Sequence, residues 1–384
     1  MHLVIKNDTK RNQLPGLYPM NTDRQSIPTV HFIPYELLES PKGMTELKVL
    51  GDVYLAQVWK FICEWNRNTS SFSLQTSGST GEPKTISVSR LSMQQSARLT
   101  GEFLELRQGQ TALLCLPVGF IAGKMMIVRA ITLGLNLLVV EPSKNPLLRV
   151  DDGITIDFAA FTPMQLTEIF SNDDSLQKLM QIRSIIIGGA SVSSTLERQV
   201  QWLPYPVFET FGMTETLTHI AMRRLNGPVA SELFESLPGI TLRSDEQGCL
   251  VIHAPHLDEP TVATNDLVEL HNSRTFRWLG RVDNVINSGG LKIYPEKIER
   301  KIATLLSKRF IITNIPDPKL GELVALIIEG EAEDTAAIEN RISGSLDTYE
   351  KPRKILFLPE FPKTLSGKVI RSAVAELVKP RLSI

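Results

Sequence analysis

Four hydroxyls, two glycines and a lysine fall within nine residues, Thr76-Ser77-Gly78-Ser79-Thr80-Gly81-Glu82-Pro83-Lys84. Glycines let backbone N–H groups turn inward, hydroxyls add donors and an ammonium adds positive charge, which is what a polyphosphate needs. A Walker A loop is excluded, because that pattern needs glycine directly before the lysine and Pro83 stands there. A solvated Ser/Thr/Gly loop is the alternative for this stretch taken alone. A second run, Ile187-Gly188-Gly189-Ala190, suits the wall of a slot for a flat ligand, since small residues permit close approach to the backbone. It equally suits a strand-to-loop turn.

The elements expected to position these residues alternate in the α/β manner. Phe72-Ser73-Leu74 reads as a strand end ahead of the first run. Apolar residues Leu55, Val58, Trp59, Ile62 and Cys63 recur at helical spacing. The pattern predicts a helix from Arg90 to Arg107, then strand Thr111–Pro117, a helix near Lys124–Thr132 and strand Leu135–Glu141. Strands at Thr155–Phe161 and Arg183–Ile187 follow, each leading into helical sequence at Pro163 and Ser193. Runs such as Ile185-Ile186-Ile187 read as parallel strands covered on both faces. From His219 to Gly280 short strands and turns predict an antiparallel, barrel-like part. Beyond Arg281 the pattern restarts: short strands near Val285 and Leu291, a helix opened by Pro295, strands at Arg309–Ile315 and Leu323–Glu329, a helix near Thr335–Leu346 and a strand at Ile355–Leu358. The fold class expected is α/β, with a large N-terminal lobe and a small α+β C-terminal domain.

Bulk properties narrow the function. The 384 residues are 42% hydrophobic and 22% charged, a globular composition. A net charge of −1 supplies no global field toward nucleic acid or an anionic membrane, so anions must be bound by local donors. Cys63, Cys115 and Cys249 lie far apart without metal-ligand spacing, as expected in a reducing cytoplasm. Arg129 and Asn136 interrupt the most apolar stretch, Met125 to Val140, which falls short of the roughly 18 residues a membrane span needs.

Further motifs follow in order: Phe211-Gly212-Met213-Thr214-Glu215, Thr264-Asn265-Asp266, Gly280-Arg281-Val282-Asp283-Asn284 through Gly290-Leu291-Lys292-Ile293-Tyr294-Pro295-Glu296-Lys297-Ile298-Glu299, and Pro362-Lys363-Thr364-Leu365-Ser366-Gly367-Lys368. From Thr76 to Arg371 the chain resembles the adenylate-forming superfamily of acyl-CoA ligases, adenylation domains and luciferases. That resemblance implies an enzyme using ATP, Mg²⁺ and coenzyme A. Thr76, Ser77, Gly78, Ser79, Thr80, Gly81 and Lys84 would hold phosphates, Thr214 the α-phosphate, and Glu215 the metal. Gly188, Gly189, Ala190 and Phe211 would receive adenine, and Asp266 and Arg281 the ribose. Lys368 would serve adenylation. Residues 1–281 would form the ATP- and acid-binding part, shortened at its start, and 282–384 a mobile domain hinged near Asp283, with Gly289, Gly290 and Phe120 at a thiol tunnel.

The segment 212–221 looks like o-succinylbenzoate:CoA ligases, whose substrate carries a second carboxylate. The acid would meet Gly189, Met213, Thr218 and His219, with Lys124 pairing the spectator carboxylate or, alternatively, lying in solvent at a helix start. Asn265, Asn287 and Phe120 depart from the family's usual glycine, lysine and histidine, so gating of the tunnel by that histidine is in doubt. A stand-alone protein that loads a carrier phosphopantetheine and a catalytically silent binding module are the alternatives. Small-molecule acid, ATP and CoA are the expected partners, with no nucleic acid and no membrane span. Oligomeric state is not legible, and a homodimer stays open.

Overall fold

The computed structural model describes residues 30–39, 52–75, 85–363 and 369–378. The phosphate-loop residues Thr76 to Lys84 and the motif lysine Lys368 lie outside them. The first described elements are β1 (Val30–Ile33), α1 (Tyr35–Glu39), α2 (Val53–Asn66) and the hairpin β2 (Ser71–Gln75) and β3 (Thr85–Ser89). Next come α3 (Arg90–Phe103), β4 (Thr111–Leu114), α4 (Ile121–Leu133), β5 (Asn136–Val140), β6 (Phe158–Phe161), α5 (Pro163–Phe170), α6 (Asp173–Leu179), β7 (Ser184–Ile187), α7 (Ser194–Val200) and β8 (Val207–Gly212). Strands β5, β4, β6, β7 and β8 lie side by side and parallel. Strand β1 adds antiparallel to β5.

Side chains along these strands alternate between two cores, as the pleat requires. Ala112 and Leu114 of β4 join one core and Leu113 the other; Phe158 and Ala160 of β6 divide likewise from Ala159 and Phe161. Helices cover both faces, which is why these strands read as continuous apolar runs. Local chemistry fixes the helix starts. Asp52 caps α2 by accepting from Leu55 N at 2.8 Å, and His31 Nε2 holds that carboxylate at 3.0 Å. Thr162 and Gln165 form a capping box ahead of α5, each satisfying a backbone donor of the other. The Gln165 amide also donates to Cys115 O and Ser143 O, tying α5 to the loops after β4 and β5. Helix α3 ends at Phe103, short of the expected Arg107. Glu105 takes φ +54° there, and a left-handed torsion does not continue a right-handed helix. Strand β4 likewise stops at Leu114, and the chain turns through Pro117 into α4.

The antiparallel part, β9 (His219–Arg224), β10 (Phe234–Ser236), β11 (Thr241–Ser244), β12 (Cys249–His253), β13 (Thr261–Leu270) and β14 (Thr275–Arg281), extends the same sheet in the order β8-β9-β10-β14-β13-β12-β11. A second sheet is built from β15 (Ile286–Ser288), β16 (Leu291–Ile293), β17 (Phe310–Asp317), β18 (Gly321–Glu329) and β19 (Lys354–Leu358). Helices α8 (Pro295–Ile302) and α9 (Thr335–Ser343) pack on one face and α10 (Arg371–Val378) on the other. Glu299 of α8 accepts from Ile312 N at 2.6 Å and pairs with Arg371 at the start of α10. No helix among the described residues is long and apolar enough to cross a membrane.

Strand order places β5 to one side of β4 and β6 to the other. Ligands of open α/β sheets bind outside the carboxyl ends of the strands at such a switch. Gly123 brings α4 against the loop there: a Cβ on it would lie 2.4 Å from Pro117 O. Gly123→Ala is therefore expected to destabilise the fold by about 1–3 kcal/mol. Urea unfolding checks this, with a lower midpoint at unchanged slope as the expected result.

Candidate active site

Adjacent parallel strands end together, so the segments after β6, β7 and β8 converge. Gly188 N donates to Phe161 O at 3.1 Å, and Thr210 Oγ1 donates to Ile187 O at 2.9 Å. A Cβ at Gly188 would stand 2.7 Å from that threonine oxygen, and Gly189 has φ +85°. The torsion at Gly189 favours glycine, and a Cβ at Gly188 would have to displace the Thr210 hydroxyl. After β8 the chain reverses tightly into β9. A Cβ on Gly212 would meet Thr218 O at 2.2 Å, and Leu217 takes φ +67°. The turn pushes Glu215 into solvent, where it makes no hydrogen bond or ion pair with any described residue. No cluster of three or more His, Cys, Asp or Glu exists among the described residues. A lone outward carboxylate fits Mg²⁺, which takes one or two carboxylates and completes its shell with phosphate oxygens and water.

Phe211 sits edge-on to Phe276 and Phe234, with ring centroids 5.1 and 5.7 Å away. Two residues beyond Phe276 on β14, Trp278 Nε1 donates to Asp266 Oδ1 at 2.8 Å. Asp266 is buried and lies opposite Arg281 in the β13–β14 register, with Arg281 Nη1 4.0 Å from its other oxygen. Arg281 Nη2 also reaches Asp283 at 3.1 Å, and the Asn265 amide donates to the same carboxylate at 3.1 Å. Asn284 instead donates to Glu296 of α8. Thus Asp283 is tied to the large sheet, and its neighbour to the small one. Gly289 and Gly290, at φ +58° and +84°, turn the β15–β16 hairpin. Two successive positive torsions are what a type I′ turn requires.

Behind the turn lies a buried polar cluster. Ser96 Oγ of α3 meets Thr218 Oγ1 at 2.8 Å, Thr100 Oγ1 meets His219 Nε2 at 3.1 Å, and Arg129 Nε of α4 donates to Thr100 Oγ1 at 3.4 Å. Arg129 is 3% exposed and has no ion pair among the described residues. Burial pushes its guanidinium down to about 10. His219 is driven well below its ordinary value by burial and then by the Arg129 charge, so the ring is neutral. A buried cation without a counter-ion is costly, roughly several kcal/mol after relaxation.

Over residues 60–244 the chain matches the AMP-binding enzyme family. A Dyadobacter fermentans protein described as an acyl-CoA synthetase (AMP-forming)/AMP-acid ligase II-like protein is 39% identical, with a TM-score of 0.63 over 91% of this chain and 100% of that one. The chain belongs to the adenylate-forming AMP-binding enzymes. As an AMP-binding enzyme it is also similar to a 2-succinylbenzoate–CoA ligase of Lactococcus lactis subsp. lactis, 26% identical over 377 residues that span 89% of this chain and 82% of the relative. The o-succinylbenzoate CoA synthetase of Bacillus subtilis, solved with an acyl-adenylate, shares the fold at 19% identity, with a TM-score of 0.67 over 79% of this chain and 68% of that one.

In this AMP-binding enzyme the described expectations fall into two groups. Gly188, Gly189, Ala190, Phe211, Met213, Thr214, Glu215, Thr218 and His219 gather at the ends of β7 and β8, and Asp266 and Arg281 join through Phe276 and Trp278. Lys124 does not. Its ammonium lies 3.4 Å from Ser73 O and 5.8 Å from the Phe61 ring centroid, facing β2 and α2. Five residues along a helix put about 140° between it and Arg129. Lys124 thus faces β2 and α2 and not the turn after β8. Phe120 is half exposed at the N-terminus of α4. Sequence reasoning missed Arg129, whose signal was a charge inside an apolar helix, and Trp278, whose role needs the β13–β14 pairing.

The neutral His219 carries a pH consequence. Its folded-state value is depressed below the ordinary 6.5. A depressed group contributes stability above its unfolded value, and that contribution is lost as pH falls below it. Partly buried His256 acts in the same sense. Melting temperature is expected to drop as the solution is taken from neutral to mildly acidic, and less steeply in His219→Gln. Equal slopes in the two proteins would contradict a buried neutral ring.

Proposed function

We propose that this AMP-forming acyl-CoA ligase activates an acid bearing a second carboxylate, with o-succinylbenzoate the favoured substrate. The observation that carries the proposal is Arg129, a buried guanidinium without a counter-ion among the described residues, bonded to Thr100 and close to His219 at the start of β9. A guanidinium has five donors, and one is used among the described residues. A planar carboxylate would take the others, often in bidentate fashion. The names of the Lactococcus and Bacillus relatives support the same acid.

In the first step an oxygen of the reacting carboxylate forms a bond to the α-phosphorus of ATP, and the bond to pyrophosphate breaks. Two anions approach, so donors must offset the developing charge. Residues 76–84 and Thr214 would bind the phosphates, and Lys368 would bridge the carboxylate and the α-phosphate. Mg²⁺ held by Glu215 would supply further neutralisation. Asp266, oriented by Trp278, would accept from the ribose hydroxyls. In the second step the thiol sulfur forms a bond to the acyl carbon, AMP departs with the carboxylate oxygen it gained, and the thiol proton passes to solvent. Rotation of the small sheet about Asp283 would separate the steps. A carrier-borne phosphopantetheine is the other acceptor to test.

ATP–pyrophosphate exchange over a panel of acids, followed by acyl transfer to CoA or a carrier, tests this. Arg129→Met is expected to raise the KM for the dicarboxylic acid about 10²-fold, the loss of roughly 3 kcal/mol. Exchange with a matched monocarboxylic acid should be unchanged. Without acid, the variant should melt no lower than the parent, because it removes a buried charge that has no counter-ion among the described residues. An unchanged KM for the dicarboxylic acid would remove Arg129 from the pocket.

A further inference from the structure

The nucleotide reading of the slot makes no use of three charged residues beneath it, Glu209, Arg223 and Glu197. Glu209 and Arg223 face each other across the β8–β9 pair and are buried, at 8% and 7% exposure. Arg223 Nε donates to Glu209 Oε2 at 2.5 Å, and Nη1 donates to Glu197 Oε1 at 3.0 Å. The second oxygen of Glu209 accepts from Val192 N at 3.0 Å. Val192 closes the segment that starts at Gly188, and Glu197 lies on α7 directly after it. The Arg223 guanidinium also lies 5.6 Å from the Phe234 ring centroid, and Phe234 packs against Phe211.

One guanidinium therefore connects both walls of the slot. The Gly188–Val192 wall is held through Glu209 at its end, and through Glu197 beyond it. The aromatic wall is held through Phe234. The far end of the 188–192 segment is held by Val192 N on Glu209 and by the Val192 side chain against the core, whereas its near end is set by Gly188 N on Phe161 O and Thr210 on Ile187 O. Breaking a buried charge-assisted bond while leaving its partner charged is expensive, so the walls move together or not at all. Two carboxylates against one guanidinium also leave a net negative charge under the slot. Such a field favours a base edge that presents an amino donor over one that presents a carbonyl acceptor.

We propose that Glu209 is a positioning residue for the adenine slot, acting with Arg223 and Glu197 to set its width and its preference for adenine. The proposal rests on the reading of the slot as the nucleotide site. Glu209→Gln keeps the shape but loses the charge that pairs Arg223. It is expected to raise the KM for ATP about tenfold, leave kcat at saturating ATP and the KM of the acid within twofold, and lower the ATP-over-GTP preference. Hydrogen exchange at the Val192 amide should quicken in the same variant. If Glu209→Gln does not fold, Glu197→Gln, on a carboxylate 28% exposed, is expected to shift the ATP KM in the same direction. A variant that melts lower but keeps the parent's ATP KM and base preference overturns the proposal while leaving the nucleotide reading intact. A parent protein that binds no ATP overturns that reading as well.

Discussion

One buried hydroxyl holds the working end of the large sheet. Thr216 Oγ1, wholly inaccessible, accepts from Met213 N at 2.9 Å and stands 2.8 Å from Thr218 O and 3.0 Å from Met213 O. It closes a turn in which Leu217 is left-handed and Gly212 lies against Thr218 O, a path the backbone would not otherwise adopt. Its consequences run both ways along the chain. Upstream, Glu209 and Phe211 are kept in pairing with β9, facing Arg223 and the aromatic cluster. Downstream, Thr218 and His219 are delivered to α3 and α4. Between them, Thr214 and Glu215 are turned outward, where phosphates and a metal would arrive.

Two buried arginines near this turn are treated oppositely by the fold. Arg223 is satisfied by two carboxylates, and their charge holds its guanidinium above the ordinary value despite burial. Arg129 has a hydroxyl and no counter-ion among the described residues, and burial lowers it. Paired buried charges serve geometry, whereas an unpaired one is a standing cost that a bound anion relieves. Arg223 thus braces two strands and a helix, and Arg129 is the group that the proposed acid would pair.

Much of this was legible in the residues. Continuous apolar runs at β5, β6 and β7 announced a sheet covered on both faces, and the periodic spacing in α2 announced its buried stripe. Strand β1 was not legible: its short run from Val30 to Ile33 carries too little pattern, and its partner β5 lies far along the chain. The break at Glu105 depends on a left-handed torsion that no glycine advertised. At the site, motif order singled out Phe211, Glu215, Asp266 and Arg281 as candidates. Lys124 stood out as a charge at the start of an apolar helix, whereas Arg129 read only as an interruption of the apolar run. What decides which side chain reaches the core is angle around α4.

The most direct measurement follows an oxygen. When the reacting carboxylate carries ¹⁸O, turnover with ATP and CoA is expected to place one labelled oxygen in AMP, because the phosphorus–oxygen bond made first survives when the thiol cleaves the carbon–oxygen bond. AMP without label, or label recovered in orthophosphate, would contradict an acyl-adenylate on the path.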